Sequence, residues 1–287
     1  GDGVTQHQQL PPAVMKIVLG AELERQRLRA EVTQEQAAQR LRCGQSKIAH
    51  IEGGSGIKAM ELDALLDLYG ADDNDTAYAR ALQAESNRRT KRGAFSTRFK
   101  QQMRLLVDME PSCNELLSHQ AMVIPGLLQT EEYMRAQFRA WRPSPTQDDI
   151  DRDTANRLGR QRVLDNTSQK FWFIIDEAAL RRTPIGPEAM KPQITHLVEV
   201  IDRPNVELQI VPFDIGYYMG QSHDYTVFQY EADPQVSIVY LEKHDGGEYV
   251  EGAKKTARYL DLFDQQKAAA IGQERARRFL LDFAASL

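Results

Sequence analysis

The sequence predicts an N-terminal all-helical region, a helical connector and a C-terminal α+β (or α/β) domain. Three observations carry that reading. Residues 33–52, TQEQAAQRLRCGQSKIAHIE, hold two short helical patterns separated by a tight turn. Strand-like runs at 171–175, 206–211, 225–229 and 236–241 have the length and the β-branched or aromatic content of strands. Amphipathic stretches at 188–201 and 252–285 are long enough to be helices.

The first helix is expected over 14–30, where Ile17, Leu19, Leu23 and Leu28 make a loose helical pattern ended by Glu31-Val32-Thr33. Thr33 with Gln36 three positions on is a capping box, so a second helix starts at Gln34. Ala37, Ala38 and Leu41 give it one small apolar face. Arg42-Cys43-Gly44 breaks it, and Gly44 caps a third helix whose apolar positions are Ile48 and Ile51. Two short helices joined by a tight turn and packed through small side chains can hold one helix out to enter a DNA major groove. DNA binding is therefore the leading function implied by the residues. Gly53-Gly54-Ser55-Gly56 reads as a turn. Residues 58–69 then put Leu62, Leu65, Leu66 and Tyr69 on one stripe, closed by Gly70. These elements place a DNA-binding domain at 1–71.

A helical connector is expected over 72–110. From Ser86 to Leu106 it carries Arg88, Arg89, Lys91, Arg92, Arg98, Lys100 and Arg104 and no acid. Such a run is either a solvated helix face or a phosphate-contacting arm, and Arg88, Arg89, Lys91 and Arg92 are the candidates for the arm. The third region, 111–287, opens with a stretch, 114–140, that contains a sharp turn at Val123-Ile124-Pro125-Gly126. Thr130 caps a helix beginning Glu131-Glu132, and a second helix covers 150–164. The strand runs follow, with pairing direction left open, and one long terminal helix is expected over 252–285.

Composition sets the outer bounds. A chain of 287 residues with 41% hydrophobic and 27% charged residues has the length and apolar content for two domains. Its net charge of −5 argues against indiscriminate coating of nucleic acid, although a local basic face can still bind it. No apolar run approaches the roughly 20 residues of a membrane helix, and the N-terminus lacks a signal-peptide pattern. Cys43 and Cys113 imply no disulfide framework, so a reducing cytoplasm is the simplest setting. The six histidines are scattered, and HExxH, paired-Cys, P-loop, GxGxxG and GxSxG patterns are absent. The expectation is a non-enzyme with no metal and no cofactor.

On these residues the first region resembles the XRE/Cro-type helix-turn-helix family, with its lambda-repressor-like fold. The matching segments are Leu19-Gly20-Ala21-Glu22-Leu23 through Arg27, Thr33-Gln34, and Ser46-Lys47-Ile48 to Ile51-Glu52. The second region resembles actinobacterial regulators that are WhiJ-like and often labelled antitoxin-like. Its matching phrases include Ile124-Pro125-Gly126-Leu127-Leu128-Gln129-Thr130-Glu131, Arg160-Gln161, Asp176-Glu177-Ala178-Ala179-Leu180-Arg181-Arg182, Pro204-Asn205-Val206-Glu207-Leu208-Gln209 and Val239-Tyr240-Leu241-Glu242.

The resemblance implies roles. Gln34 meets the DNA backbone at a helix N-terminus. Gln45, Ser46, Lys47 and His50 form the reading face, with Lys58 as a further DNA contact, and Arg42, outside the family pattern, can add a phosphate contact. Arg27 and Glu52 form a structural pair. Ala37 and Arg42 depart from the pattern, where a larger aliphatic residue and a glycine are common. The implied function is a sequence-specific transcriptional regulator, a repressor, acting as a homodimer on a near-palindromic double-stranded operator. Its C-terminal domain would bind a ligand or a small protein encoded by a neighbouring gene. The alternative is an antitoxin-type interaction protein that neutralises a partner and controls its own operon. Tyr217, Tyr218 and Met219, in a Gly-Tyr-Tyr-Met-Gly loop, are the candidate partner-binding residues.

Overall fold

The computed structural model describes residues 11–87, 106–107, 109–232, 234–243 and 246–287. The chain divides into two compact units. One holds the N-terminal helices together with Gln229–Ile238 and Val250–Thr256, and the other holds the rest of the C-terminal sheet and its helices.

Five helices build the N-terminal region: α1 (Pro12–Arg29), α2 (Gln34–Leu41), α3 (Gln45–Glu52), α4 (Ala59–Tyr69) and α5 (Asp73–Ser86). Their buried faces are Val14, Val18, Leu19 and Leu23 of α1, Ala37 and Ala38 of α2, Ile48 and Ile51 of α3, and Leu62, Leu65, Leu66 and Tyr69 of α4. The capping box forms as expected: Gln36 N–H donates to Thr33 Oγ1 (3.1 Å) and Thr33 N–H to Gln36 Oε1 (2.7 Å). Arg42 ends α2 in the left-handed conformation, φ 52° and ψ 47°. That geometry explains why glycine is common there, since a side chain in this region costs about 1–2 kcal/mol. Close packing of α1 against the end of α3 rests on Gly20. A Cβ at that position would lie 2.5 Å from the Ile51 carbonyl oxygen and 2.6 Å from that of Glu52.

A six-stranded mixed sheet organises the C-terminal region, in the order β3-β2-β1-β4-β5-β6. Its strands are β1 (Glu115–Gln120), β2 (Lys170–Asp176), β3 (Val206–Val211), β4 (Tyr225–Tyr230), β5 (Val236–Lys243) and β6 (Gly246–Val250). β1 runs parallel to β2, and β2 parallel to β3, with Ser118 opposite Phe173 and Phe173 opposite Leu208. Parallel neighbours need crossovers. The first contains a 3-10 turn at Gly126–Leu128, α6 (Glu131–Trp141) and α7 (Gln147–Gln161). The second contains α8 (Glu177–Arg181) and α9 (Pro187–Ile201).

Three features differ from the sequence-based expectation. β1 falls in a stretch for which no element was expected, because its Ser118 and His119 are polar yet buried. β6, GGEYV, contains two glycines and gives no strand pattern. The single terminal helix is instead α10 (Ala253–Ala269) and α11 (Gln273–Ser286). The break lies where the Ile271 N–H donates to the Ile210 carbonyl of β3 (2.8 Å), which takes that amide out of helical pairing. Among the described residues, no helix is long and apolar enough to cross a membrane.

Candidate functional site

The exposed face of α3 consists of Gln45, Ser46, Lys47, Ala49 and His50, while Ile48 and Ile51 are buried beneath it. What fixes this helix is a buried ion pair at its C-terminal end. Arg27 Nε and Nη2 donate to the two oxygens of Glu52 (2.5 and 3.1 Å), and Arg27 Nη1 donates to the Val32 carbonyl (2.9 Å). Both side chains are under a tenth exposed. Hydrogen bonding to Glu52 raises the Arg27 pKa above its ordinary value despite burial. The geometry matches the structural pairing implied by the resemblance.

Gln34 joins the same network. Its Nε2 donates to Glu52 Oε2 (2.7 Å), and its Oε1 accepts from Gln45 Nε2 (3.4 Å). The carboxamide expected at the DNA backbone is therefore directed inward in the free protein, coupling the start of α2 to both ends of α3. Lys47 is ion-paired with Glu61 of α4, and that hydrogen bond raises the Lys47 pKa and lowers that of Glu61. Arg42 and Lys58 are exposed, as is Ser46. Arg88, Arg89, Lys91 and Arg92 lie outside the described residues.

In the C-terminal unit the Gly-Tyr-Tyr-Met-Gly loop separates its aromatic residues. Tyr217 is 85% exposed and Met219 is also exposed, whereas Tyr218 is buried. The Tyr218 hydroxyl donates to Asp176 Oδ2 (2.7 Å) and lies 3.0 Å from Nε2 of the fully buried His119. His119 Nδ1 meets the His223 carbonyl (2.7 Å). Tyr218 thus anchors the loop while its neighbours face outward, so the three residues do not act as one exposed patch. Gly216 and Gly220 adopt positive φ (75° and 74°), which lets the chain turn at both ends of the loop. A cleft of about 470 Å³ opens here, lined by residues that follow β1 (Ala121, Met122), β2 (Ala178) and β3 (Pro212, Phe213). The carboxyl ends of parallel strands are a recurrent ligand position in α/β sheets. Met122, Phe213, Ile215, Tyr217 and Met219 leave large apolar surface exposed around it.

Burial lowers the His119 pKa, outweighing the His223 carbonyl, Asp224 and Asp176, which all raise it. A lowered histidine pKa means that the unfolded chain binds the proton more readily. Its contribution to stability is present above the unfolded value of about 6.5 and is lost as pH falls from there toward the folded value. Asp224 is shifted upward by burial and acts in the opposite sense at lower pH. Denaturant melts from pH 7.5 to 5 should show the wild type losing more stability than His119→Gln. Equal slopes would contradict a neutral buried His119.

A second cleft, with Arg157 and Arg160 of α7 in its wall, was not singled out in the sequence. Its signals were three of the phrases quoted for the resemblance, which contribute Ile124–Leu127 and Gln129, Arg160, and Tyr240 and Glu242 to the lining. Arg157, one turn before Arg160, stood among other polar residues of a long amphipathic helix.

Comparison with known families places both regions. The family described as "Domain of unknown function (DUF5753)" matches residues 103–282, and the family described as "Helix-turn-helix domain" matches residues 18–79. No curated protein and no solved structure gives a match.

Proposed function

The chain belongs to the family of the domain of unknown function DUF5753, and we propose that it is a sequence-specific DNA-binding transcriptional regulator of the XRE type, acting as a repressor. One observation carries this reading: the polar face Gln45–His50 stands exposed over a buried Ile48/Ile51 face and is locked in place by Arg27, Glu52 and Gln34. Glutamine can pair bidentately with adenine, and lysine can reach guanine or a phosphate. In this reading 1–71 is the DNA-binding domain, 72–110 the basic connector, and 111–287 the partner-binding and dimerisation domain of a WhiJ-like regulator.

Alanine at Gln45 or His50 should each cost about 1–3 kcal/mol of operator affinity and relax preference at one base step. Quantitative gel shifts on operator and scrambled DNA measure both effects. Glu61 restrains Lys47 and adds a negative charge beside the reading face. Glu61→Gln should therefore tighten binding to operator and scrambled DNA alike, with a steeper salt dependence. Unchanged binding to both DNAs would remove Lys47 from the interface.

A single helix-turn-helix reads few base pairs, so a two-fold dimer with half-sites about 10 bp apart, or a multiple of that, follows. The apolar rim around Tyr217 and Met219 supports a small protein partner, encoded nearby, that shifts operator affinity. The antitoxin reading shares that surface. It is favoured over the regulator if the neighbouring gene product copurifies tightly and the only promoter footprinted is that of the chain's own operon.

A further inference from the structure

The second cleft of the C-terminal unit encloses about 100 Å³ between Leu116, Phe173 and Tyr225 on the sheet and the guanidinium groups of α7. Arg157 and Arg160, one turn apart, have different partners. Arg160 makes a two-point ion pair with Glu110 (3.0 and 2.5 Å), buried on both sides. No carboxylate among the described residues lies within ion-pair distance of Arg157. Its Nη1 donates instead to two neutral acceptors, Gln129 Oε1 and Gln137 Oε1 (2.7 Å each), and its guanidinium stacks on Phe138 (4.4 Å).

That leaves Nε–H and Nη2–H, two parallel donors on one edge, with no acceptor among the described residues. Gly126 lies against the same guanidinium: a Cβ there would sit 3.5, 3.7 and 3.8 Å from Nε, Cδ and Cζ, over the face of the group rather than at its free edge. A desolvated cation hydrogen-bonded only to amides is costly, and Glu242, Asp153 and Glu110 offset that only in part, from beyond ion-pair distance. Burial, and then the like charge of Arg160, pull the Arg157 pKa down to about 10.

We propose that this cleft binds a small organic monocarboxylate, its two oxygens taken by Nε–H and Nη2–H of Arg157 and its apolar part resting on Leu116, Phe173 and Tyr225. The free edge has the fork geometry that matches a carboxylate. Asp224 and Glu242 also line the cleft and disfavour a dianion such as phosphate. An apolar cavity of about 150 Å³ takes up benzene, so the smaller space here fits an acid of about four carbons. The site does not depend on the DNA-binding reading.

The test follows the arginine Nε–H resonances of the ¹⁵N-labelled full-length protein, with Arg157 assigned through Arg157→Lys, during titration with butyrate, butyramide and inorganic phosphate. Butyrate should shift the Arg157 signal saturably in the millimolar range. Butyramide should not, and phosphate should bind at least about tenfold more weakly, a difference of about 1.4 kcal/mol. Because Arg157 also bridges Gln129 and Gln137, a second variant, Gly126→Val, keeps the charge but sets a branched side chain on the guanidinium face at Nε and crowds the approach to its free edge. It should weaken butyrate by about tenfold or more while the resonances of Arg160 stay in place. The proposal is overturned if butyrate leaves the Arg157 signal unmoved, if butyramide shifts it equally, or if Gly126→Val titrates like wild type.

Discussion

Gly20→Ala is expected to destabilise the N-terminal unit by about 3 kcal/mol and to abolish operator binding at concentrations that saturate the wild type. The added methyl group would meet two backbone carbonyls, of Ile51 and Glu52, at distances that Cβ atoms do not tolerate. Backbone cannot rotate aside as a flexible side chain can, so α1 and α3 must separate. Overpacking of this kind costs about 1–3 kcal/mol, occasionally more, and a clash with main chain belongs at the upper end. The separation also shifts the reading helix, so DNA affinity falls even where the unit stays folded. Urea unfolding followed by circular dichroism, with gel shifts alongside, measures both effects. A stability change under about 0.5 kcal/mol would mean that the two helices are not packed as described.

Removing one member of the Arg27–Glu52 pair should have an effect of similar size by a different route. Glu52→Ala leaves Arg27 buried with only the Val32 carbonyl as acceptor, and also strands the Gln34 amide. Breaking a buried pair on one side costs about 3–5 kcal/mol. Replacing both partners, as in Arg27→Met with Glu52→Leu, removes the uncompensated charge and should recover most of that loss. Operator affinity should recover less, because Gln34 no longer ties α2 to α3. If the single and double variants are equally unstable, the pair acts through packing volume rather than charge.

Much of the N-terminal unit could be read from the residues because its signals are local. Thr33 and Gln36 satisfy each other, Gly44 and Gly70 mark helix ends, and the burial of Ile48 and Ile51 follows from helical spacing. The Arg27–Glu52 pair spans 25 residues and was reached through family resemblance, not periodicity. In the C-terminal region, β3 was found at its full length since its signal is local: Val206, Leu208 and Ile210 alternate with Glu207 and Gln209. β1 was missed because its polar residues are satisfied by groups distant in sequence: His119 by the His223 carbonyl and Tyr218. Tyr218 and Tyr217 are neighbours with the same side chain, and only the tertiary fold decides which one is buried. Arg157 was illegible for the same reason, since what distinguishes it from Arg160 is which carboxylate the fold brings near.

The central claim, sequence-specific reading of DNA by α3, is tested most directly by selecting bound sequences from random duplex DNA with the full-length protein and with the Gln45→Ala/His50→Ala variant. The wild type should enrich one near-palindromic motif whose half-sites are about 10 bp apart or a multiple of that, and the variant should lose information at positions within each half-site while keeping its weak, salt-dependent background binding. Enrichment of no motif by the wild type, or of the same motif with equal affinity by the variant, would contradict the assignment of α3 as the reading helix.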